Sequence, residues 1–186
     1  MKIVSIKDIL LTGNFGDIHL GMTKDRVIDK LGQPIFDEFT TENETGILRY
    51  GRYEFLYWKS NDILYGFSNT WLSGFGMTKE QHKKNIYFSN KAFKMDLSFM
   101  KVGHISTNLE VKQWLIANNV PFEEKIDAFN NIVLYFQSGV TLHFIDTSDY
   151  ITFDEFNKPE LMESLQSSEC FLLEGIRQYD FSITKT

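Results

Sequence analysis

The sequence predicts an α+β protein: an antiparallel β-sheet with helices packed on one face, built from a tandem duplicated helix-plus-β-meander unit. Three observations lead to this prediction. Helix start and stop signals occur twice, around residues 23–34 and 107–121. Each is followed by apolar and aromatic runs separated by turn residues, which is typical of antiparallel strands. The two halves also match at a nearly constant offset along the chain.

The helices of the first half are indicated by capping residues. Ser5 is a candidate cap for a short helix over 5–11. Thr23 is expected to cap the helix over 24–31 through its hydroxyl oxygen, because that oxygen can accept a first-turn backbone N–H. Gly32 suits the left-handed position after a helix, so the helix is expected to stop there.

Three strands follow in the first half. They are predicted over 47–50, 52–59 and 63–70, with turns between them, and residues 35–45 are predicted to form turns. Side chains alternate between the two faces of a strand, so every second residue shares a face. The following apolar residues are therefore the predicted core, together with Leu31 of the helix: Tyr53, Phe55, Tyr57, Val140, Leu142 and Phe144.

The second half repeats the same order of elements. Thr107 and Glu110 have the spacing of a capping box, which predicts a helix over 108–118. The elements expected after it are strands over 132–137, 140–145 and 150–156, a helix over 159–165 and a last strand over 175–183. Before it, residues 85–89 are a candidate strand and 95–101 a short helix or strand.

The positions of matching residues favour one duplicated domain. Thr23 and Thr107 lie 84 residues apart, and from residue 53 to 67 the offset is a constant 87. We therefore expect residues 1–186 to form a single domain of two repeats, about 1–76 and 95–186, joined by a connector over 77–94. The alternative, that any two helix-plus-meander units look alike, stays open.

Composition bounds the class of protein. Hydrophobic residues make up 42% and aromatic residues 15% of the chain, enough for a sizeable core. Cys170 is the only cysteine, so no internal disulfide can form, and a reducing cytoplasm is the expected compartment. Asp8 lies where a signal peptide needs an apolar run, and no segment is apolar over the roughly 20 residues of a membrane span. No membrane association is expected.

The charge distribution bears on partners. The net charge is −6, which disfavours binding to nucleic acid. Eight acidic residues stand against Lys158 alone between residues 146 and 174. Two interpretations stay open: a solvated acidic surface, or an acidic surface that attracts a basic partner.

The residue types that carry chemistry form no recognisable catalytic set. The four histidines are scattered, and none has the spacing of a zinc-binding helix. Cys170 has no partner at metal-ligand spacing, and no glycine-rich phosphate loop occurs. The sequence therefore predicts no catalytic residues, no metal site and no cofactor.

A candidate binding surface lies on the sheet face opposite the predicted core. It combines an aromatic residue expected to be exposed, Trp58, with apolar and charged residues, as binding surfaces do. The predicted protein-binding residues are Glu54, Leu56, Trp58, His143, Asp146, Asp149, Asp154 and Glu155.

The run LGMTKDRV over residues 20–27, closed by LGQP over 31–34, resembles the L-G-M-T-x-x-x-V…L-G-x-P signature of the outer-membrane lipoprotein small protein A family. That family shares a two-helix, antiparallel-sheet unit with the β-lactamase inhibitor protein, which has two such units in tandem. The resemblance covers about residues 15–70, and 104–156 only through the repeat. It implies a binding sheet without catalytic residues. The chain lacks the family's lipid-bearing cysteine and the inhibitor's disulfides.

Two function classes follow. The first is a non-enzymatic protein-binding module, most concretely a cytoplasmic bacterial immunity-type protein that blocks a partner such as a basic toxin domain. Acidic single-domain bacterial proteins of this kind are similar to immunity proteins by general class. The alternative is a small-ligand-binding protein or an enzyme with a pocket between sheet and helices, near His143 and Cys170.

Overall fold

An antiparallel sheet forms the centre of the computed structural model, which describes residues 1–39, 44–72, 78–96, 98, 106–146 and 171–183. The α+β class is confirmed: helices and an antiparallel sheet occur together. The elements of the described residues are, in chain order, β1 (Lys2–Ser5), α1 (Ile6–Thr12), α2 (Lys24–Leu31), β2 (Phe36–Phe39), β3 (Thr45–Tyr50), β4 (Tyr53–Trp58), β5 (Leu64–Asn69), α3 (Lys79–Ile86), β6 (Phe93–Asp96), α4 (Asn108–Ala117), β7 (Glu123–Ile126), β8 (Ile132–Tyr135), β9 (Thr141–Asp146) and β10 (Phe171–Tyr179).

The order of strands in the main sheet is β2-β3-β4-β5-β10-β9-β8-β7, counted over the described ranges. β5 and β10 form the central pair. On each side of this pair the strands follow one another outward in reverse chain order. Each side consists of four strands that follow one helix in the chain, α2 on one side and α4 on the other. The duplication of the chain itself stays a prediction.

The core lies between the helices and one face of this sheet. Val27 and Leu31 of α2 belong to the same buried cluster as Val111 and Leu115 of α4, so both helices pack on one side. The predicted core residues are confirmed as buried: Leu31, Tyr53, Phe55, Tyr57, Val140, Leu142 and Phe144. The period of two was a sufficient signal because every helix-facing position named here on β4 and β9 is apolar.

The helix caps agree with the sequence in part. Ser5 accepts from the backbone N–H of Asp8, and Thr107 and Glu110 form the expected capping box. Gly32 has a positive φ of 82°, which favours glycine as predicted, but its ψ of −175° differs from the left-handed helical cap conformation. The side-chain cap predicted at Thr23 is wrong: its hydroxyl makes no capping hydrogen bond, and the Thr23 backbone instead bridges to Ile63 at the start of β5.

Several predicted elements are corrected. The strand predicted over 85–89 is wrong, because a capping box at Thr78 and Gln81 starts α3, which continues to Ile86. Residues 35–45 contain β2 rather than turns alone. The last strand, predicted over 175–183, is Phe171–Tyr179. The strand predicted over 150–156 and the helix over 159–165 lie outside the described residues.

A second sheet was not predicted. It consists of β1 and β6, which pair in parallel, with Lys2 opposite Phe93 and Ser5 opposite Asp96. Val4, Phe93 and Met95 join the same core cluster as the main sheet. The small sheet therefore extends the core on the helix side of the molecule.

A polar network ties α2 to the β2 edge of the main sheet. Tyr57 donates to Asp37 at 2.7 Å, and Lys24 Nζ lies 2.5 Å from Asp37 Oδ2 and 3.2 Å from the Tyr57 hydroxyl. Burial and the hydrogen bond to Asp37 raise the pKa of Tyr57, so it stays protonated. The Tyr57 ring lies directly over Gly46, where a Cβ would come within 2.0 Å of ring atom Cζ.

Candidate protein-binding face

The sheet face turned away from the core cluster is called here the open face. On β4 it carries Glu54, Leu56 and Trp58, and on β9 Thr141, His143 and Ile145, because these residues alternate with the buried core residues. All of them except Trp58 are half-buried. The open face is therefore a surface of partly accessible, mixed side chains.

One row of paired residues crosses the open face through all eight strands. Each member lies opposite the next in the strand register, which brings residues from distant parts of the chain into line. The row runs Phe36, Arg49, Glu54, Ser68, Arg177, Thr141, Tyr135 and Glu123. Only Glu54 of this row was among the predicted site residues, because pairing between distant strands leaves no local sequence signal.

The charged residues near the centre of the row form ion pairs within the chain. Arg49 Nη2 lies 2.8 Å from Glu54 Oε1, and Arg177 Nη2 lies 2.9 Å from Glu174 Oε2. All four side chains are partly accessible to solvent, so each pair contributes little to stability. Each pair places one guanidinium group beside a carboxylate on the open face.

His143 lies beside this row and is uncharged at neutral pH. Burial, and secondly the positive charge of Arg177, lower its pKa to about 4. Its Nε2 is 2.9 Å from the Thr141 hydroxyl. Among the described residues, the buried Nε of Arg177 has no hydrogen-bond partner. His143 thus supplies a polar but neutral group, which suits a contact surface better than an acid–base role at pH 7.

The expected exposure of Trp58 is wrong. Trp58 is only 9% exposed, because its ring stacks on Tyr65 at 3.9 Å and its Nε1–H donates to the carbonyl of Ile183 at 2.7 Å. The cover comes from β5 and from the residues after β10. A side chain held in this way supports the surface from below and cannot itself be the exposed anchor.

The exposed aromatic surface lies instead on top of Trp58. We call Trp58, Tyr65, Tyr179 and Phe181 the aromatic platform. Tyr65 is 5% exposed, while Tyr179 is 39% and Phe181 70% exposed. The Phe181 ring lies 5.9 Å from Tyr65 and 5.8 Å from Tyr179. The sequence showed two aromatics at period two near the chain's end, but nothing that placed them beside Trp58.

The platform is continuous with the predicted binding residues. Tyr179 pairs with Gly66, which pairs with Leu56, and a Cβ at Gly66 would come within 2.4 Å of Tyr179 Cδ1. Glycine at this position lets the tyrosine ring lie flat across the strand next to Leu56. Leu56 and the platform therefore form one surface.

The remaining predicted site residues have different outcomes. Asp146 ends β9, is half-buried and lies opposite Phe171 of β10, on the far end of that strand from the platform. Asp149, Asp154 and Glu155 lie outside the described residues. Over the described ranges, no group of three or more His, Cys, Asp or Glu side chains is placed to hold a metal ion.

A cavity of about 250 Å³ lies on the helix side of the molecule. Val4 and Phe15 line it, and at its rim Asp17 pairs with Lys2 and lies 4.0 Å from Lys30. His143 is not among its lining residues. This cavity is therefore not the pocket that was predicted near His143 and Cys170. Cys170 lies outside the described residues.

The fold and the open face define an α+β protein with one antiparallel sheet packed on a single side. None of the helices in the described ranges is long and apolar enough to cross a membrane. No protein-family model and no curated protein matches the chain. Among solved structures it is similar to a DUF4309 family protein (YjgB) from Bacillus subtilis, with 13% identity, 94% of this chain and 93% of that chain covered, and a TM-score of 0.45. Function must be inferred from the open face itself.

Proposed function

We propose that the protein is a non-enzymatic protein-binding module that engages a basic partner protein through the open face. Its most concrete form is a cytoplasmic bacterial immunity-type inhibitor that blocks a toxin by covering a site on it. The mechanism would be steric and electrostatic, and no bond would be made or broken.

The observation that carries the proposal is the size and chemistry of the open face. Eight strands spaced about 4.8 Å apart give a width of about 34 Å, and the six-residue strands β3, β4, β5 and β9 give a length of about 20 Å. The resulting footprint of the sheet, about 700 Å², compares with about 800 Å² for the share of one partner in a standard protein interface, and it includes buried positions such as Ser68 and Val133. Half-buried apolar residues such as Leu56 lie next to paired charges there, as at the centre and rim of an interface.

The charge of the chain favours a basic partner. The net charge is −6, and residues 146–174 alone carry eight acidic residues against Lys158. Such an excess of negative charge attracts a cationic protein over distances up to the Debye length and speeds its encounter. The inhibition of a basic toxin is compatible with this charge, whereas binding to nucleic acid is disfavoured.

The test is a mapped interaction. The tagged protein serves as bait in an extract of cells that express it, and the purified partner is then titrated by calorimetry. Leu56→Lys and Tyr135→Lys, on the open face, should each weaken binding by at least about tenfold, because a charge would be buried at the interface. Ile116→Lys, exposed on α4 at the opposite side, is the matched control and should bind normally. Equal affinity of all three variants, or the lack of any stable partner, would refute the proposal.

The electrostatic part has its own test. The double variant Asp149→Lys, Glu155→Lys should slow association and reduce its salt dependence while the dissociation rate changes little. Stopped-flow measurements at two salt concentrations check this. Salt-independent association of the unmodified protein would remove the electrostatic part and leave the open face in place.

A further inference from the structure

Exposed aromatic rings on this protein fall into two groups. Three of them are accompanied by a cation of the same chain: Arg49 lies over Phe36 at 6.0 Å, Arg52 over Trp71 at 4.8 Å, and Lys125 over Tyr135 at 5.1 Å. Each is within the range in which a cation is attracted to the negative face of a ring. The chain thus supplies its own cation–π partners at several exposed rings.

The exposed rings of the aromatic platform have no such cation, and among the described residues neither does the exposed ring of Phe129. Within the part of the chain that the structure describes, no Lys or Arg lies over Tyr179 or Phe181. Their rings stack on one another at an interplanar angle of 23°, and the Phe181 ring also lies against the buried Tyr65. The open ring faces are therefore available to a group from outside.

The platform is also held in place before anything binds. Asp180 donates its backbone N–H to the carbonyl of Tyr65 at 2.8 Å, and its side-chain Oδ1 accepts from the N–H and hydroxyl of Ser182 at 3.0 and 2.5 Å. The Tyr65 hydroxyl is 3.0 Å from Thr45 Oγ1. Preorganised rings lose little conformational entropy on binding, and the Asp180 carboxylate adds a negative charge between the two exposed aromatics in the chain.

From these contacts we infer that the aromatic platform is the subsite that takes an arginine or lysine side chain of the basic partner. This inference rests on the proposed function for its partner and names the part of the open face that recognises it. The cation would lie against the Phe181 and Tyr179 rings. An arginine is the better fit, since its planar, weakly hydrated guanidinium stacks on aromatic faces.

The probe is a hexa-arginine peptide with blocked ends, compared with a hexa-citrulline peptide of the same shape and no charge. Binding is followed by ¹H–¹⁵N NMR, in which the backbone signals of Tyr65, Tyr179 and Phe181 report on the platform. The arginine peptide should shift these signals in a saturable way, and the citrulline peptide should not. Shifts confined to other surfaces, or equal shifts by both peptides, would overturn the inference.

Fluorination of Phe181 separates ring electrostatics from apolar contact. Replacement of Phe181 by 4-fluoro- and then pentafluorophenylalanine keeps the ring but weakens and then reverses its negative face, so affinity for hexa-arginine should fall stepwise. Phe181→Leu should lower it by about two- to fivefold, the value of one exposed cation–π contact. Phe129→Ala is the control, because Phe129 is 84% exposed and lies outside the platform. Affinity that is unchanged by fluorination, or lowered as much by the control, would contradict the inference.

The two proposals fail in different ways. If the captured partner is sensitive to Leu56→Lys but indifferent to fluorination of Phe181, the open face binds protein and the cation subsite is wrong. If hexa-arginine binds the platform but no partner protein is captured, the subsite stands and the proposed function is wrong.

Discussion

Gly46 on β3 should be intolerant of even a single added methyl group. In Gly46→Ala the new Cβ would lie 2.0 Å from Tyr57 Cζ and 2.4 Å from its Cε2 and hydroxyl oxygen. The ring cannot move aside freely, because Tyr57 is fully buried and its hydroxyl is bound by Asp37 and Lys24. The substitution must therefore displace the ring from its place in the network.

The cost follows from two effects. Overpacking a buried site costs about 1–3 kcal/mol, and a weakened hydrogen bond to the charged Asp37 adds about 1–2 kcal/mol. We expect the free energy of unfolding to fall by about 2–5 kcal/mol, measured by urea denaturation. In a chain of this length that corresponds to a Tm lower by roughly 4–20 °C.

A double-mutant cycle tests the stated cause. Tyr57→Leu removes the ring above Gly46, so in that background Gly46→Ala should cost less than about 1 kcal/mol. If Gly46→Ala costs the same in both backgrounds, the clash with Tyr57 is not the reason. If the free energy of unfolding of Gly46→Ala lies within about 0.5 kcal/mol of the value for the unmodified protein, the packing described for this site is wrong.

Three further outcomes are expected. Leu31→Ala should lower the free energy of unfolding by about 2–5 kcal/mol, because Leu31 is buried in the core; a loss below about 1 kcal/mol would contradict this. Thr107→Ala removes the capping box of α4 and should cost about 1 kcal/mol in the same assay, whereas an unchanged value would mean that the box contributes nothing. The pKa of His143 is lowered to about 4 in the folded protein, whereas an unfolded histidine has a pKa of about 6.5. The unfolded state therefore binds the proton first as the pH falls, so the contribution of neutral His143 to stability is complete above about pH 6.5 and is lost towards pH 4. An NMR titration of His143 with a midpoint near 6.5 would rule out its burial, and His143→Asn should flatten the loss of stability with acid.

The sequence was most informative where a short local pattern decides the structure. Tyr53, Phe55 and Tyr57 recur at every second position, which identified the core face of β4 because a strand has only two faces. The capping box at Thr107 located the start of α4 for a similarly local reason. The same signal exists at Thr78 and Gln81, but the polar sequence of α3 gave no apolar face to support it.

Features that depend on distant residues could not be predicted. β1 pairs with β6, about 90 residues further along, so neither four-residue strand carries its own signal. Trp58 was placed on the correct face, but its cover depends on Ile183, 125 residues later. The pairing of β10 with β5 brings Tyr179 and Phe181, which follow in the chain, next to Tyr65 and Trp58.

The central position of β10 has a consequence for how the chain folds. Ile176 pairs with Asn69, so the middle of the sheet forms only when residues 107 positions apart meet, and contacts of such long range slow folding. Until then β5 and β9 are both edge strands, and their apolar residues and unpaired backbone groups can pair with other chains. When β10 pairs with both β5 and β9, neither of them is an edge strand any longer. The refolding yield should therefore be lower at higher protein concentration, because intermediates in which β10 has not yet paired aggregate.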